Sequence, residues 1–163
     1  MAEGFLNSVN EKNAALKQKI LRLCVKDGDY SISDFSRELD CSIPTITKII
    51  SELIDAGYLK DLGKVGISSG RRPSIYGLNP DAGYIVGVDI RRHHVSIAVT
   101  DFKGQMIDYQ SDLAFALAST AESFTDLCTF ILSHIGKLGI GKEQVLTYGI
   151  NLTGRVNHNT GYS

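Results

Sequence analysis

The chain has 163 residues, 43% hydrophobic and 21% charged, with a formal net charge of −1. That balance is that of a globular protein and excludes a disordered tail, and no apolar run approaches the roughly 20 residues needed to span a bilayer. The near-neutral total excludes an overall basic field, so a nucleic-acid footprint has to be local. The start, Met1-Ala2-Glu3-Gly4, lacks the basic and apolar segments of a secretion signal, and a cytoplasmic location is expected. Cys24, Cys41 and Cys128 form an odd, widely spaced set without a Cys-x-x-Cys pair, which predicts neither a disulfide framework nor zinc.

The first nine residues show no clear period. From Asn10 the pattern turns helical, with Leu16, Ile20, Leu23 and Cys24 on one face and Lys17, Lys19, Arg22 and Lys26 expected mostly off that stripe. Asp27-Gly28-Asp29 stops the helix. Ser31 and Asp34 have the spacing of a capping box for a second, short helix with Phe35 and Leu39 on its apolar face. After the break at Asp40-Cys41-Ser42, the third helix is the clearest signal in the chain. Ser42 is a good N-cap, Pro44 suits a first turn, and Ile46, Ile49, Ile50, Leu53 and Ile54 make an unbroken apolar stripe ending at Gly57. A short helix, a brief break and a longer amphipathic helix make a helix-turn-helix pattern. Strands over 58–62 and 74–78 flank the glycine-rich stretch 63–70 and Arg71-Arg72-Pro73, which reads as a hairpin, or wing. Asn79-Pro80-Asp81 marks a domain boundary.

Beyond that boundary the spacing predicts strands over 84–90, 95–100 and 105–112. Ser119-Thr120-Ala121-Glu122 matches a capping box and opens a helix with Phe124, Leu127, Cys128, Ile131, Leu132 and Ile135 on one face. A fourth strand over 145–152 completes a β-β-β-α-β order.

Burying the isoleucine stripe of the third helix leaves Ser42, Pro44, Thr45, Thr47, Lys48 and Ser51 outside. The N-terminal part of the second helix of a helix-turn-helix meets base edges in the major groove. Small hydroxyl residues allow close approach and offer hydrogen bonds and the threonine methyl, and Lys48 has the reach for a phosphate or a guanine. Taken alone, such a face reads sooner as that of a solvated helix. The adjoining Gly70-Arg71-Arg72-Pro73 tips the reading, because two arginines on a narrow extended loop suit a minor groove rich in A·T pairs. A protein-interaction module is the rival reading of the same unit.

These residues carry a resemblance. The runs Ser42-Ile43-Pro44-Thr45-Ile46-Thr47, Glu52-Leu53-Ile54-Asp55-Ala56-Gly57-Tyr58-Leu59, Gly70-Arg71-Arg72-Pro73 and 78–90 (Leu-Asn-Pro-Asp-Ala-Gly-Tyr-Ile-Val-Gly-Val-Asp-Ile) resemble the ROK family of repressors and sugar kinases, on the regulator branch. The resemblance implies an α+β and α/β chain: a winged helix-turn-helix over residues 1–79, followed by the first β-β-β-α-β part of an actin-like, ribonuclease-H-like sugar-kinase domain over 80–163, which is expected to be incomplete. It implies a repressor of sugar-utilisation genes that binds an operator in double-stranded DNA as a homo-oligomer. The sugar or sugar derivative to which it responds would bind through residues further on.

The alternative within the family is a sugar-kinase lobe with an appended winged helix. In the kinases the acidic residue ending the first strand is followed by Gly-Gly-Thr, which wraps ATP phosphates; here Asp89-Ile90 is followed by Arg91-Arg92-His93-His94. Bulky side chains at that turn predict no ATP binding, no cofactor and no catalytic residues. His93 and His94 have no third ligand near them in sequence, so no metal is expected.

Overall fold

The computed structural model describes residues 11–64, 73–152 and 160. The chain is a mixed α and β protein of two compact units, Met1–Ala82 and Gly83–Ser163.

The first unit runs α1 (Glu11–Asp27), β1 (Tyr30–Ser31), α2 (Ile32–Leu39), α3 (Ile43–Asp55), β2 (Leu59–Lys64) and β3 (Ser74–Leu78), followed by a 3-10 turn over Pro80–Ala82. The three helices enclose Ile20, Cys24, Phe35, Ile46, Ile49, Ile50 and Leu53, and Leu59 and Leu78 close the core from the strands. The sheet order is β1-β3-β2, all antiparallel. The two-residue strand β1 gave no periodic signal and exists because Tyr30 and Ser31 pair with Tyr76 and Ile75. Ser31 caps α2 as expected: its Oγ accepts the Asp34 N–H at 3.2 Å, and Asp34 Oδ2 accepts the Ser31 N–H at 3.3 Å. The Ser31 hydroxyl, donating to the same carboxylate at 2.6 Å, holds the Asp34 carboxyl below the usual carboxylate range.

One expectation for α1 is corrected. Lys17 is 5% exposed and lies on the buried face, three residues before Ile20 and seven before Cys24. Helical phase puts it inside, and polarity alone misplaces it. Its ammonium makes an ion pair of 2.8 Å with Glu52 of α3.

The second unit runs β4 (Tyr84–Ile90), β5 (His94–Asp101), β6 (Met106–Ala114), α4 (Ala121–Lys137), a 3-10 turn (Lys142–Gln144) and β7 (Val145–Leu152). Sheet order is β6-β5-β4-β7, with β4 and β7 parallel and the other pairs antiparallel. Alternate residues Val86, Val88, Ile90, Val95, Ile97 and Val99 point to one face, where α4 supplies Leu127, Ile131 and Ile135. His134 and Asp108 add a polar tie from α4 to β6, Nε2 to Oδ2 2.9 Å. Gly83 enters β4 at φ +150, and a Cβ there would meet the Gln144 carbonyl oxygen at 2.8 Å and Leu146 Cγ at 2.7 Å.

Two expectations for α4 are corrected. Its N-cap is Thr120, whose Oγ1 accepts the Ser123 N–H at 3.2 Å, rather than Ser119 in a capping box with Glu122. Ser123 Oγ in turn accepts the Ala118 N–H, which sets the start of the helix one residue later than the motif suggested. The apolar stripe is also narrower: Phe124 is 60% and Leu132 46% exposed. Phe124 has the right phase but stands near the helix start, beyond the sheet's cover, and Leu132 is rotated to the flank.

Candidate nucleic-acid interface

Helix α3 is positioned from three sides. Before it, Asp40 adopts a left-handed conformation at φ 49, the Cys41 N–H donates to the Ser36 carbonyl at 3.1 Å, and the Ser36 hydroxyl donates to the Cys41 carbonyl at 2.6 Å. These bonds fix the turn between α2 and α3. Beneath it, Ile46, Ile49, Ile50 and Leu53 are each at most 2% exposed. After it, Gly57 at φ +80 lets the chain reverse into β2, and Asn79 Nδ2 donates to the Gly57 carbonyl at 2.9 Å.

The outer face holds the six α3-region residues singled out from the sequence. Ser42, Pro44, Thr45, Thr47, Lys48 and Ser51 are all exposed. Ser42 is the N-cap, its Oγ accepting the Thr45 N–H at 3.4 Å and lying 2.8 Å from Thr45 Oγ1. The Thr47 hydroxyl donates to the Ile43 carbonyl at 2.8 Å, so its proton is committed and its methyl and oxygen lone pairs face outward. The first turn of α3 carries no acidic side chain. The acids of the helix come later, and Glu52 is engaged by Lys17. Among the described residues Lys48 makes no ion pair. The helix thus offers a small-residue surface, one lysine and an uncompensated positive dipole end, a combination that accommodates a polyanion at close range.

The structure adds a residue that sequence reasoning passed over. Ile43 occupies the first helical position beside Pro44 and is 55% exposed. Its phase lies between those of Ile50 and Ile54, on the edge of the apolar stripe, yet among the described residues it is left largely exposed.

Arg71 and Arg72 lie outside the described residues, as does the rest of 65–72. The strands on either side of that stretch in sequence are described. Leu59 pairs with Leu78 and Lys64 with Ser74, with a register irregularity between Asp61 and Lys64 where the Gly63 N–H donates to Asp61 Oδ1 at 2.8 Å.

In the second unit, the open face of the sheet forms a shallow depression lined by Gly87, Asp89, Ser96, Tyr109 and Asn151 among others. Both carboxylate oxygens of Asp89 are engaged: Arg91 Nε donates at 2.9 Å and Asn151 Nδ2 at 2.6 Å. Among the described residues no group of three or more His, Cys, Asp and Glu side chains is placed to hold a metal, and no helix is long and apolar enough to cross a membrane.

No family model matches the chain. Among curated proteins it is similar to a putative xylose repressor of Caldicellulosiruptor sp. (strain Rt8B.4), 26% identical over 146 residues, which is 89% of this chain and 36% of that protein. It is also similar to the xylose repressor of Bacillus spizizenii (strain ATCC 23059 / NRRL B-14472 / W23), 26% identical over 157 residues, 95% of this chain and 38% of the relative. Among solved structures, a ROK family transcriptional regulator, homologue of the E. coli MLC protein, superposes with a TM-score of 0.67 at 22% identity, covering 93% of this chain and 38% of that one. The chain is thus similar to repressors and has the fold of a ROK family transcriptional regulator. The chain spans under two fifths of the length of those relatives.

Proposed function

We propose that this chain belongs to the ROK family and is the operator-binding part, with the start of the effector domain, of a sugar-responsive transcriptional repressor. In this reading the first unit is a winged helix-turn-helix, with α2 and α3 as the two helices and β2 and β3 as the wing. The second is the beginning of an actin-like, ribonuclease-H-like fold, with a domain boundary between 79 and 80. The observation that carries the reading is the exposed row Thr45, Thr47, Lys48 and Ser51 on a helix whose opposite face buries Ile46, Ile49, Ile50 and Leu53. Such a helix has its outward surface rigidly presented and its first turn free to enter a major groove. Arg71 and Arg72 are proposed to enter the neighbouring minor groove. Two copies are proposed to bind half-sites about one helical turn apart, or a multiple of it.

The proposed signal is a sugar or sugar derivative, the class suggested by the xylose repressors among its relatives. The kinase alternative has no observation in its favour. The Asp89 carboxylate is taken up by Arg91 and Asn151, and the turn that follows carries Arg92 and His93 where phosphate-wrapping glycines would be needed. The chain is accordingly proposed to be part of a regulator rather than of a kinase.

Selection of bound fragments from genomic DNA, followed by titration of the recovered duplex across salt concentrations, tests the proposal. One sequence motif should emerge, and xylose or another sugar in a panel should change its affinity. Absence of any retained duplex at low salt, where even non-specific binding registers, would leave the protein-interaction reading in its place.

A further inference from the structure

We propose, resting on the DNA-binding reading above, that Ile43 is a specificity-determining residue that reads the methyl group of a thymine in the operator. Four observations converge on it. Ile43 is 55% exposed while Ile46, Ile49 and Ile50 of the same helix are at most 2% exposed, so an apolar side chain stands outside at the end of α3 assigned to the groove. Its exposed neighbours are Pro44 and Thr45, which add further apolar surface. The Thr47 hydroxyl proton is committed to the Ile43 carbonyl, leaving its methyl on the same surface. Ser42 and Thr45 share a hydroxyl–hydroxyl bond of 2.8 Å, which uses one of their two protons. This end of α3 is therefore rich in methyl groups and lone pairs and poor in free donors.

Among the groups that base edges present in the major groove, the C5 methyl of thymine is the one protruding apolar group, and most of the others are donors or acceptors. An isoleucine held against a guanine or cytosine edge would desolvate polar atoms without pairing them. Against a thymine methyl it removes apolar surface from water on both sides. The same surface gives Lys48, one turn further along, the charged contact, and leaves base discrimination at the helix start to shape and methyl contact.

The test uses the full protein and a duplex recovered by selection from genomic DNA, resynthesised with deoxyuridine replacing thymidine one position at a time. Uracil keeps the hydrogen-bonding edge and removes only the methyl. At one thymine per half-site the wild type should lose roughly fourfold in affinity, the expected worth of one buried methyl. Ile43→Ala should bind the normal duplex about that much more weakly and show no further loss with uracil at that position. Ile43→Val, which keeps a branched methyl surface, should retain most of the uracil penalty. The substituted side chain is exposed and alanine favours helix, so both variants should fold, as a circular-dichroism melt will verify. Insensitivity of the wild type to uracil at every position overturns the proposal. So does an Ile43→Ala protein that keeps the full penalty, including the case in which Thr47→Ala abolishes it instead. Failure to retain any duplex at all is a different result, and takes the DNA-binding reading down as well.

Discussion

Lys17 shows how a single side chain joins two helices. Its Nζ lies 2.8 Å from Glu52 Oε2, with the lysine side chain 7% and the glutamate 34% exposed. Removing the stem opens a gap between α1 and α3, while the glutamate retains access to water. Lys17→Ala should therefore cost about 1–3 kcal/mol, and Lys17→Met, which refills the volume without the charge, distinctly less. Paired thermal melts read the difference; equal losses in both would assign the effect to the charge rather than to packing. Ser31 is a second case, 3% exposed and committed to the α2 cap. Ser31→Ala should destabilise the protein by about 1 kcal/mol in urea unfolding.

Asp108 connects two elements, accepting from His134 across the α4–β6 contact, and this hydrogen bond is the main cause of its carboxyl lying below the usual range. Asp34 is lowered likewise, chiefly by Ser31. For a group whose folded pKa is depressed, the unfolded chain binds its proton first as pH falls. The stabilisation is complete above the ordinary carboxylate range and disappears as pH drops through the lowered folded value. Melting temperatures should fall between pH 5 and pH 3, and Asp108→Asn should fall less over that interval than the wild type. At the junction of β4 and β7, Gly83 has both a left-handed φ and no room for a Cβ, because the obstructing Gln144 oxygen belongs to the backbone. Gly83→Ala should cost about 2 kcal/mol or more and loosen the first parallel pairing, visible as faster amide exchange at Tyr84 and Ile85.

The molecule as a whole is proposed to work through a footprint that its near-neutral charge conceals. Lys48→Ala should weaken binding of all duplexes alike and reduce the salt slope by about one if the lysine meets a phosphate. It should instead relax one base position if it meets a guanine. Replacing Arg71 and Arg72 together should cost about 1–3 kcal/mol for each lost contact, with the largest effect on A·T-rich flanks. Unchanged binding after that replacement would remove the loop from the interface.

Most of this architecture was legible from residue pattern. The α3 stripe, its Ser42 cap, the Ser31–Asp34 cap and the strand at 145–152 were all readable because capping and periodicity act within a few residues of chain. The exposed row of α3 followed by subtraction once the stripe was inside. What the pattern could not supply is what stands opposite a residue. Ile43 and Phe124 both share the phase of an apolar stripe, and both are exposed in the first turn of their helices. Lys17 has a polar head and is buried, since a carboxylate on another helix waits for it. Strand β1 exists only because β3, more than forty residues later, offers it a free edge. Local sequence determined the helices, the longer strands and the period of each apolar stripe. Tertiary packing alone decided whether a face found a partner, because burial depends on groups distant in the chain, which no local period encodes.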